Sequence, residues 1–196
     1  MKLFYSPGSC SLAPHIALQE AGINFELAEV SLEDHKLRDG SDYTAINALG
    51  YVPVLQLDDG MRLHETPAIL QFLSEQNNAQ THDALSRAQL GQWLAFIGGE
   101  LHSVYYILFS PDAEQGFQQA TRAKLRARYE WIDGQLEGRD YLTGQTFGVA
   151  DAYLFAVTSW ADAVGVDLSG LERLQAWLER VAARPAVQAA LRREEG

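Results

Sequence analysis

The sequence predicts an α/β domain followed by an all-α domain, and three observations support this prediction. Every strand-like segment lies within residues 1–76. Beyond residue 83, apolar residues recur only at the spacing of three and four that is typical of helices. The stretch between them, residues 77–83 (NNAQTHD), is polar and lacks periodicity, as a linker does. A β-rich half followed by a helical half indicates two domains, at residues 1–76 and 84–196.

The first domain opens with a strand, a helix and a second strand. Residues 2–5 are apolar and aromatic and are stopped by a Pro-Gly turn, which predicts a strand. Residues 11–22 carry apolar side chains at helical spacing and finish on a glycine, the usual C-terminal cap. Residues 25–32 alternate in part between apolar and polar side chains and predict the second strand.

A loop, a hairpin and a helix complete the first domain. Residues 31–48 are polar and mixed, which predicts a loop with a short helix. Strands at 52–57 and 61–63 flank the turn sequence Asp-Asp-Gly and predict a β-hairpin. Residues 65–76 have the apolar spacing of a helix. The predicted order of elements is therefore β-α-β-α-β-β-α.

The second domain consists of helical patterns alone and is expected to form a helical bundle. Residues 149–164 are apolar on most faces, so this helix is expected to be buried. Asp151 stands at its third position, after Gly148, where a carboxylate caps the helix, and this favours a structural over a catalytic role. The other predicted helices cover residues 84–109, 115–136, 171–184 and 186–193.

Composition narrows the class of function. The formal net charge is −11, with a sequence pI near 4.8, so the surface repels nucleic acid and anionic lipid. The single cysteine excludes an internal disulfide, and no apolar run approaches the length of a membrane span. We therefore expect a reduced, cytoplasmic protein without nucleic-acid or membrane partners.

Cys10 is the first candidate for chemistry. It lies between the Pro-Gly turn and the first turn of a helix, where free N–H groups and the helix dipole favour a thiolate. Thiols in such positions have pKa values of roughly 3.5–7.5. Ala13 stands where a C-x-x-C motif has its second cysteine, so Cys10 is limited to mixed disulfides with a small thiol. The alternative is a buried and inert cysteine.

Two further motifs have a structural and a functional interpretation. Pro53, after Val52, is either an edge-strand feature or follows a cis peptide bond, which would turn the backbone of Val52 outward to pair with an extended peptide. Thr66 and Pro67 are either only the N-cap and first residue of a helix, or the helix N-terminus and the Thr66 hydroxyl bind a carboxylate while Glu65 binds an α-amino group. The functional interpretations together describe a site for an amino-acid zwitterion.

These motifs resemble a known family. The segments SPGSCSLAPHIAL, GYVPVLQLDDG and HETPAILQFL are similar to the glutathione site of glutathione transferases. The cysteine at position 10 and the segment GELHSVY resemble the bacterial beta class, and FGVADAYLF and ARPAVQAAL resemble the signatures of the helical domain. The resemblance runs from Met1 to about Leu191. It implies the glutathione transferase fold, in which the first domain is thioredoxin-like.

The resemblance also assigns roles to residues of the first domain. Cys10 matches the cysteine that contacts the glutathione sulfur. Val52 matches the residue whose backbone pairs with the cysteinyl unit, and Pro53 matches the cis-proline of the family. Glu65 and Thr66 match the pair that binds the γ-glutamyl end.

Other positions match less closely. His102 matches a histidine that lines the site from the helical domain, with Gly99 nearby. His35 falls where beta members usually carry a lysine for the glycyl carboxylate, and the adjacent Lys36 is the substitute. Ser103 replaces a lysine that commonly follows the histidine. Two further departures are Ala95, for a frequent asparagine, and Gly148, for the usual Ser or Thr cap.

The resemblance implies a homodimeric glutathione S-transferase that conjugates the thiolate of glutathione to small hydrophobic electrophiles, in detoxification. The electrophile is expected near Tyr105, Tyr106 and Trp160, and no metal or cofactor beyond glutathione is expected. One alternative is a thiol-disulfide oxidoreductase that acts through a mixed disulfide on Cys10. Another is a non-catalytic ligand- or protein-binding member of the fold.

Overall fold

The computed structural model of the protein describes residues 1–76 and 83–194. It divides into two compact units, of which the first contains residues 1–76 and 184–194 and the second residues 83–183. The predicted linker at 77–83 lies, apart from Asp83, outside the described residues.

The first unit contains a five-stranded mixed sheet, and the predicted strands are confirmed with ends that differ by at most two residues. The bounds of the strands are β1 Lys2–Tyr5, β2 Glu26–Ser31, β3 Lys36–Leu37, β4 Val54–Gln56 and β5 Arg62–His64, and they lie in the order β3-β2-β1-β4-β5. β1 pairs in parallel with β2, placing Leu3 opposite Leu27, and antiparallel with β4, placing Leu3 opposite Leu55.

The segment at 31–48 differs from the prediction of a loop with a short helix. It contains the edge strand β3, which pairs antiparallel with the end of β2, and a 3₁₀ turn at Tyr43–Ala45 in place of an α-helix. β3 was missed because a strand of two residues is too short to show alternation.

The helices follow the predicted spacing except at a π-helix within residues 84–109 and at the end of the helix predicted at 149–164. Their bounds are α1 Leu12–Glu20, α2 Thr66–Gln76, α3 Ala84–Phe96, α4 Ser103–Phe109, α5 Gln115–Gln135, α6 Val149–Thr158, α7 Glu172–Ala182 and α8 Pro185–Glu194.

α8 belongs to the first unit, whereas the sequence analysis grouped residues 84–196 as one helical domain. Arg184, just before α8, forms a two-pronged ion pair with Glu20 at the end of α1, with N–O distances of 2.5 and 2.8 Å. Val187 and Ala190 of α8 are fully buried, and the helix packs on α1. The chain therefore returns to the first unit because this apolar face needs a partner surface.

The predicted single helix at 84–109 is interrupted by a π-helix at Ile97–His102, between α3 and α4. Two consecutive glycines, Gly98 and Gly99, lie in this segment, and glycine weakens the α-helical alternative. π-Turns within α-helices are rare and occur frequently at functional sites. The irregular segment also contains the candidate residue His102.

α6 ends at Thr158, six residues before the predicted end. The hydroxyl of Thr158 donates to the carbonyl of Leu154 at 2.6 Å, and that of Ser159 donates to the carbonyl of Ala156 at 2.7 Å. These side-chain hydroxyls compete with the backbone N–H groups of the next helical turn for the same carbonyls. This competition favours the end of a helix. Within residues 1–76 and 83–194, no helix is long and apolar enough to cross a membrane.

Candidate active site

Cys10 is held by the turn that joins β1 to α1. Ser11 supports this turn, because its hydroxyl accepts from the N–H of Ser6 and donates to the carbonyl of Ser6, both at 3.1 Å. Gly8 has φ of +70°, in the left-handed region where a side chain is disfavoured. The turn thereby places Cys10 two residues before Leu12, the first residue of α1, between the turn and the helix as predicted.

The Cys10 thiol is a neutral donor in this structure. Its side chain is 7% exposed and its S–H donates to the carbonyl oxygen of Val52 at 3.5 Å. Burial raises the pKa of the thiol to about 11, and the negative charge of Glu65 also raises this pKa. A hydrogen bond with Thr66 lowers the pKa, but by less than burial raises it. The prediction of a lowered thiol pKa is therefore wrong, since desolvation outweighs the favourable groups at the helix start.

The segment before Pro53 is fixed by buried polar side chains. The Val52–Pro53 peptide bond is cis, which is the geometry of the second interpretation of this motif. The carbonyl of Tyr51 accepts from the hydroxyl of Tyr43 at 2.8 Å and from the amide of Asn47 at 2.7 Å. These two bonds hold the backbone that leads into Val52.

Glu65 and Thr66 lie at the start of α2. Glu65 has φ of +68°, which is strained for a residue with a side chain, and its carbonyl accepts from the N–H of Ile69 at 3.0 Å. The helix begins at Thr66, one residue after the start predicted from the apolar spacing, so Thr66 is its first residue and not its N-cap. Thr66 is buried, with its hydroxyl at the thiol of Cys10.

His35 is the second strained position. Its φ is +53°, and among the described residues only His35 and Glu65 combine a side chain with a positive φ. The ring packs on Gly50, where an added Cβ would lie 2.6 Å from it, and its buried Nδ1 has no hydrogen-bond partner among the described residues. Lys36 beside it is half-exposed and 3.5 Å from Asp34. Strain of this kind concentrates at functional sites.

His102 is fixed by a buried tyrosine of α6. Its Nδ1 lies 2.7 Å from the hydroxyl of Tyr153, and burial lowers the pKa of the ring to about 4. The imidazole is therefore neutral at pH 7, with one ring nitrogen committed to Tyr153. The hydroxyl of Ser103, beside His102, donates to the carbonyl of Gly99 at 2.7 Å.

An aromatic cluster surrounds His102 in the second unit. Tyr106 stacks on the imidazole at 5.7 Å, and Trp160 lies 5.3 Å from it and 5.6 Å from Phe109, measured between ring centroids. Tyr106 and Phe109 are 61% and 50% exposed, so this cluster presents aromatic surface. Phe109 was missed, although its spacing of seven residues from His102 places both on one helix face.

Tyr105 is a correction to the predicted co-substrate site. It is fully buried, and its hydroxyl lies 2.8 Å from the hydroxyl of Tyr129. Burial raises the pKa of both phenols, that of Tyr129 to about 12. Tyr105 therefore packs behind Trp160, at a centroid distance of 5.4 Å, and offers no surface to a ligand.

The structure brings the predicted residues together in two sets, each within one unit. Cys10, Val52, Glu65 and Thr66 form the first set, in the first unit. His102, Tyr106 and Trp160 belong to the second unit. Groups of three or more His, Cys, Asp or Glu side chains that could hold a metal ion are absent from the described residues.

Comparison with known proteins covers most of the chain. Two family models match, "Glutathione S-transferase, N-terminal domain" at residues 8–76 and "Glutathione S-transferase, C-terminal domain" at residues 96–185. The chain is 42% identical to the glutathione S-transferase GstA of Escherichia coli O157:H7, over 99% of this chain and 98% of that protein.

Solved structures of bacterial proteins share the fold. The structure of a sphingomonad glutathione S-transferase complexed with glutathione has a TM-score of 0.95 at 41% identity, covering 100% of this chain and 99% of that chain. The bacterial beta-class glutathione S-transferase of Sphingomonas chungbukensis has a TM-score of 0.93 at 39% identity, over 99% and 98% of the two chains. This chain belongs to the glutathione S-transferase family.

Proposed function

We propose that the protein binds glutathione at the first set of residues and transfers its thiolate to a small hydrophobic electrophile. The observation that carries this proposal is the convergence of the Cys10 thiol, the Val52 carbonyl and the Thr66 hydroxyl beside the strained Glu65. The sphingomonad relative, whose structure contains glutathione, supports the same ligand here.

Each part of glutathione has a partner of suitable chemistry. The start of α2 offers N–H groups and the Thr66 hydroxyl to the γ-glutamyl carboxylate, while the Glu65 carboxylate binds the α-amino group. Among the described residues the N–H of Val52 has no acceptor, so it can pair with the cysteinyl carbonyl. His35 and Lys36 are the proposed partners of the glycyl carboxylate.

A neutral Cys10 acts as a hydrogen-bond donor to the glutathione sulfur. Its S–H turns from the Val52 carbonyl to the sulfur anion, which has released its proton to solvent. The anion attacks the electrophile, an S–C bond forms, and the leaving group departs with its bonding electrons. The S–H of Cys10 stabilises the glutathione thiolate, which is the attacking group. Binding at the site holds this thiolate in position to attack the electrophile.

The aromatic cluster of the second unit is the proposed surface for the electrophile. Tyr106, Phe109 and Trp160 present ring faces, which favour apolar and planar molecules. The neutral His102 remains a candidate catalytic residue, with Gly99 near it on the π-helix. We propose a cytoplasmic role in detoxification, with glutathione as the sole co-substrate and no metal.

Glutathione is expected to raise the melting temperature of the wild-type protein, because it binds the folded state alone. At a hundredfold excess over Kd the stabilisation is about 2.7 kcal/mol, or roughly 5–11 °C for a chain of this length. Glu65→Gln combined with Thr66→Val is expected to remove most of this shift, measured by differential scanning fluorimetry.

Glu75→Gln is the matched control for the loss of charge. It removes the same carboxylate at the exposed far end of α2 and should leave the shift at its wild-type size. A shift that persists in the double variant would show that glutathione binds elsewhere, and a wild-type protein without any shift would contradict the proposed ligand.

We also propose a homodimer with a two-fold axis, the commonest soluble assembly. β5 is an edge strand, and Met61 beside it is 59% exposed. Residues 61–65 and the helical segment 84–109 are the proposed contacts. Sedimentation at micromolar concentration is expected to show twice the 21.7 kDa mass of the chain, and a monomer mass would refute the proposal.

A further inference from the structure

The turn that carries Trp160 is held by an arginine of α5. Residues 159–171 lie between α6 and α7, and Trp160 is the second of them. The carbonyl oxygen of Trp160 accepts from the backbone N–H of Val164 at 3.3 Å, which closes residues 160–164 into the Trp160 turn. The carbonyl oxygen of Val164 accepts in its own right from Nε of Arg122 at 2.7 Å. Arg122 therefore fixes the residue that closes the Trp160 turn.

The other end of the Arg122 guanidinium is linked to the segment that follows Phe109. Its Nη2 donates to Oε1 of Gln118, one helical turn earlier on α5, at 3.3 Å. Nε2 of Gln118 donates to the carbonyl oxygen of Ala113 at 3.2 Å. Ala113 lies four residues after Phe109, the last residue of α4. Arg122 and Gln118 thus join the segment after Phe109 to the Trp160 turn.

Trp160 and Phe109 are the two rings of the aromatic cluster that these segments carry. Their centroids are 5.6 Å apart, with the ring planes at 78°. The fully buried Tyr105 supports both rings from the interior, at 5.4 Å from Trp160 and 6.3 Å from Phe109. The hydrogen bonds of Arg122 hold the backbone segments to which the two rings are attached.

The Trp160 turn has few apolar anchors of its own. Within residues 159–167 only Ala161 and Val166 are buried, and the others are exposed or part-buried. Hydrogen bonds from an ionised donor are roughly twice as strong as those between neutral groups. The planar guanidinium of Arg122 also presents several N–H groups in fixed directions, so one side chain can bind two partners at once. Arg122 is therefore suited to fix the position of this turn.

Arg126, one helical turn further along α5, binds the same loop at a different place. Its Nη1 donates to the carbonyl oxygens of Asp167 and Ser169, at 2.9 and 2.8 Å. Its Nε donates to the carboxylate of Glu130 at 2.9 Å. The two carbonyls lie beyond the Trp160 turn, so Arg126 offers a comparison of the same residue type on the same helix and loop.

We propose that Arg122 is a positioning residue that sets the separation between the Trp160 and Phe109 rings, and with it the size of the planar electrophile that the aromatic cluster accepts. Without the guanidinium, the carbonyl of Val164 loses its donor and the Trp160 turn opens more often. The consequence for the electrophile rests on the proposed function, whereas the opening of the turn is measurable without it.

Hydrogen exchange of backbone amides, followed by mass spectrometry of peptides, reports the opening of the turn. Arg122→Ala is expected to raise the exchange rate in residues 160–166 by about tenfold, because the charged donor that holds Val164 is removed. Arg122→Lys keeps the positive charge but not the planar fork of the guanidinium, and its rate is expected to lie between those of the wild type and Arg122→Ala.

Arg126→Ala is the matched control, because it removes the same side chain from the same loop without acting on the Trp160 turn. Its exchange is expected to rise in residues 167–171 and to stay within about twofold of the wild type in residues 160–166. Equal acceleration of residues 160–166 in Arg122→Ala and Arg126→Ala would overturn the proposal, as would an unchanged rate in Arg122→Ala. If Arg122→Ala does not fold, Arg122→Lys against Arg126→Lys decides by the same criterion.

Steady-state kinetics with a small and a bulkier planar electrophile tests the effect on specificity. Arg122→Ala is expected to shift the ratio of the two kcat/KM values by about fivefold towards the bulkier electrophile, because the ring separation is no longer fixed. The KM for glutathione is expected to stay within about twofold of the wild type. A loss of stability alone would lower the amount of active enzyme and leave this ratio unchanged.

The two measurements separate this proposal from the proposed function. A ratio of kcat/KM values that stays at its wild-type size in Arg122→Ala, or that shifts equally in Arg126→Ala, would contradict the specificity role. A wild-type protein that conjugates neither electrophile would contradict the proposed function, while hydrogen exchange in residues 160–166 still decides whether Arg122 positions the turn.

Discussion

Asp151→Ala is expected to lower the free energy of unfolding by about 3–5 kcal/mol, because the carboxylate is buried and satisfies three donors. Its Oδ1 accepts from the N–H of Leu142 and from the indole N–H of Trp177, and its Oδ2 accepts from the N–H of Gly148, each at 2.9 Å. Burial raises its pKa to about 6, so the group is still ionised above neutral pH. Alanine would remove the acceptor of two buried donors, on Leu142 and Trp177, and of the part-buried N–H of Gly148.

Gly148→Ser is the control for this capping arrangement. Gly148 is extended, with φ of −134°, and an added Cβ would meet its neighbours only at ordinary contact distances of 3.7 Å or more. A serine there is expected to stabilise the protein by only about 0.3 kcal/mol. Urea unfolding measures both variants, and a loss below about 1 kcal/mol in Asp151→Ala would contradict the role of the buried carboxylate.

Cys10→Ala is expected to lower kcat for conjugation by about 10²–10³-fold, whereas Cys10→Ser is expected to stay within about tenfold of the wild type. The serine hydroxyl can still donate a hydrogen bond to the glutathione sulfur, and alanine offers no donor. Steady-state kinetics with an aromatic electrophile provides the measurement. Equal losses in the two variants, with glutathione binding intact, would assign Cys10 a more direct part in the reaction.

The same residue separates conjugation from the redox alternative. Because burial raises the pKa of the Cys10 thiol to about 11, Cys10 is predominantly a neutral thiol at pH 7. In the alternative, the Cys10 thiolate attacks oxidised glutathione, one sulfur bonds to Cys10 and the other glutathione leaves as a thiolate. We expect the wild type to gain no glutathione mass at pH 7. A stoichiometric gain that a reductant reverses would favour the oxidoreductase.

Local sequence patterns predicted most of the elements and much of the first set of site residues. A few consecutive residues define each of three features: the turn before Cys10, the Val52–Pro53 motif and the start of α2. The sequence alone could therefore predict where they lie in the chain. Tyr105 shows where this reasoning fails. The apolar spacing predicted that Tyr105 lies on a helix, but it did not show that Tyr105 is buried. Its hydroxyl lies against that of Tyr129, which is 24 residues away in the sequence.

The sequence by itself determined that a β-rich segment precedes a helical one, which motifs could hold glutathione, and that a single cysteine stands at the start of a helix. The tertiary structure decided the protonation of that cysteine, because desolvation depends on everything packed around a group and not on its neighbours in sequence. It also decided that α8 returns to the first unit, where Arg184 just before it pairs with Glu20 at the end of α1. Contacts between distant residues lie beyond the reach of local patterns because they form only when the whole chain has folded.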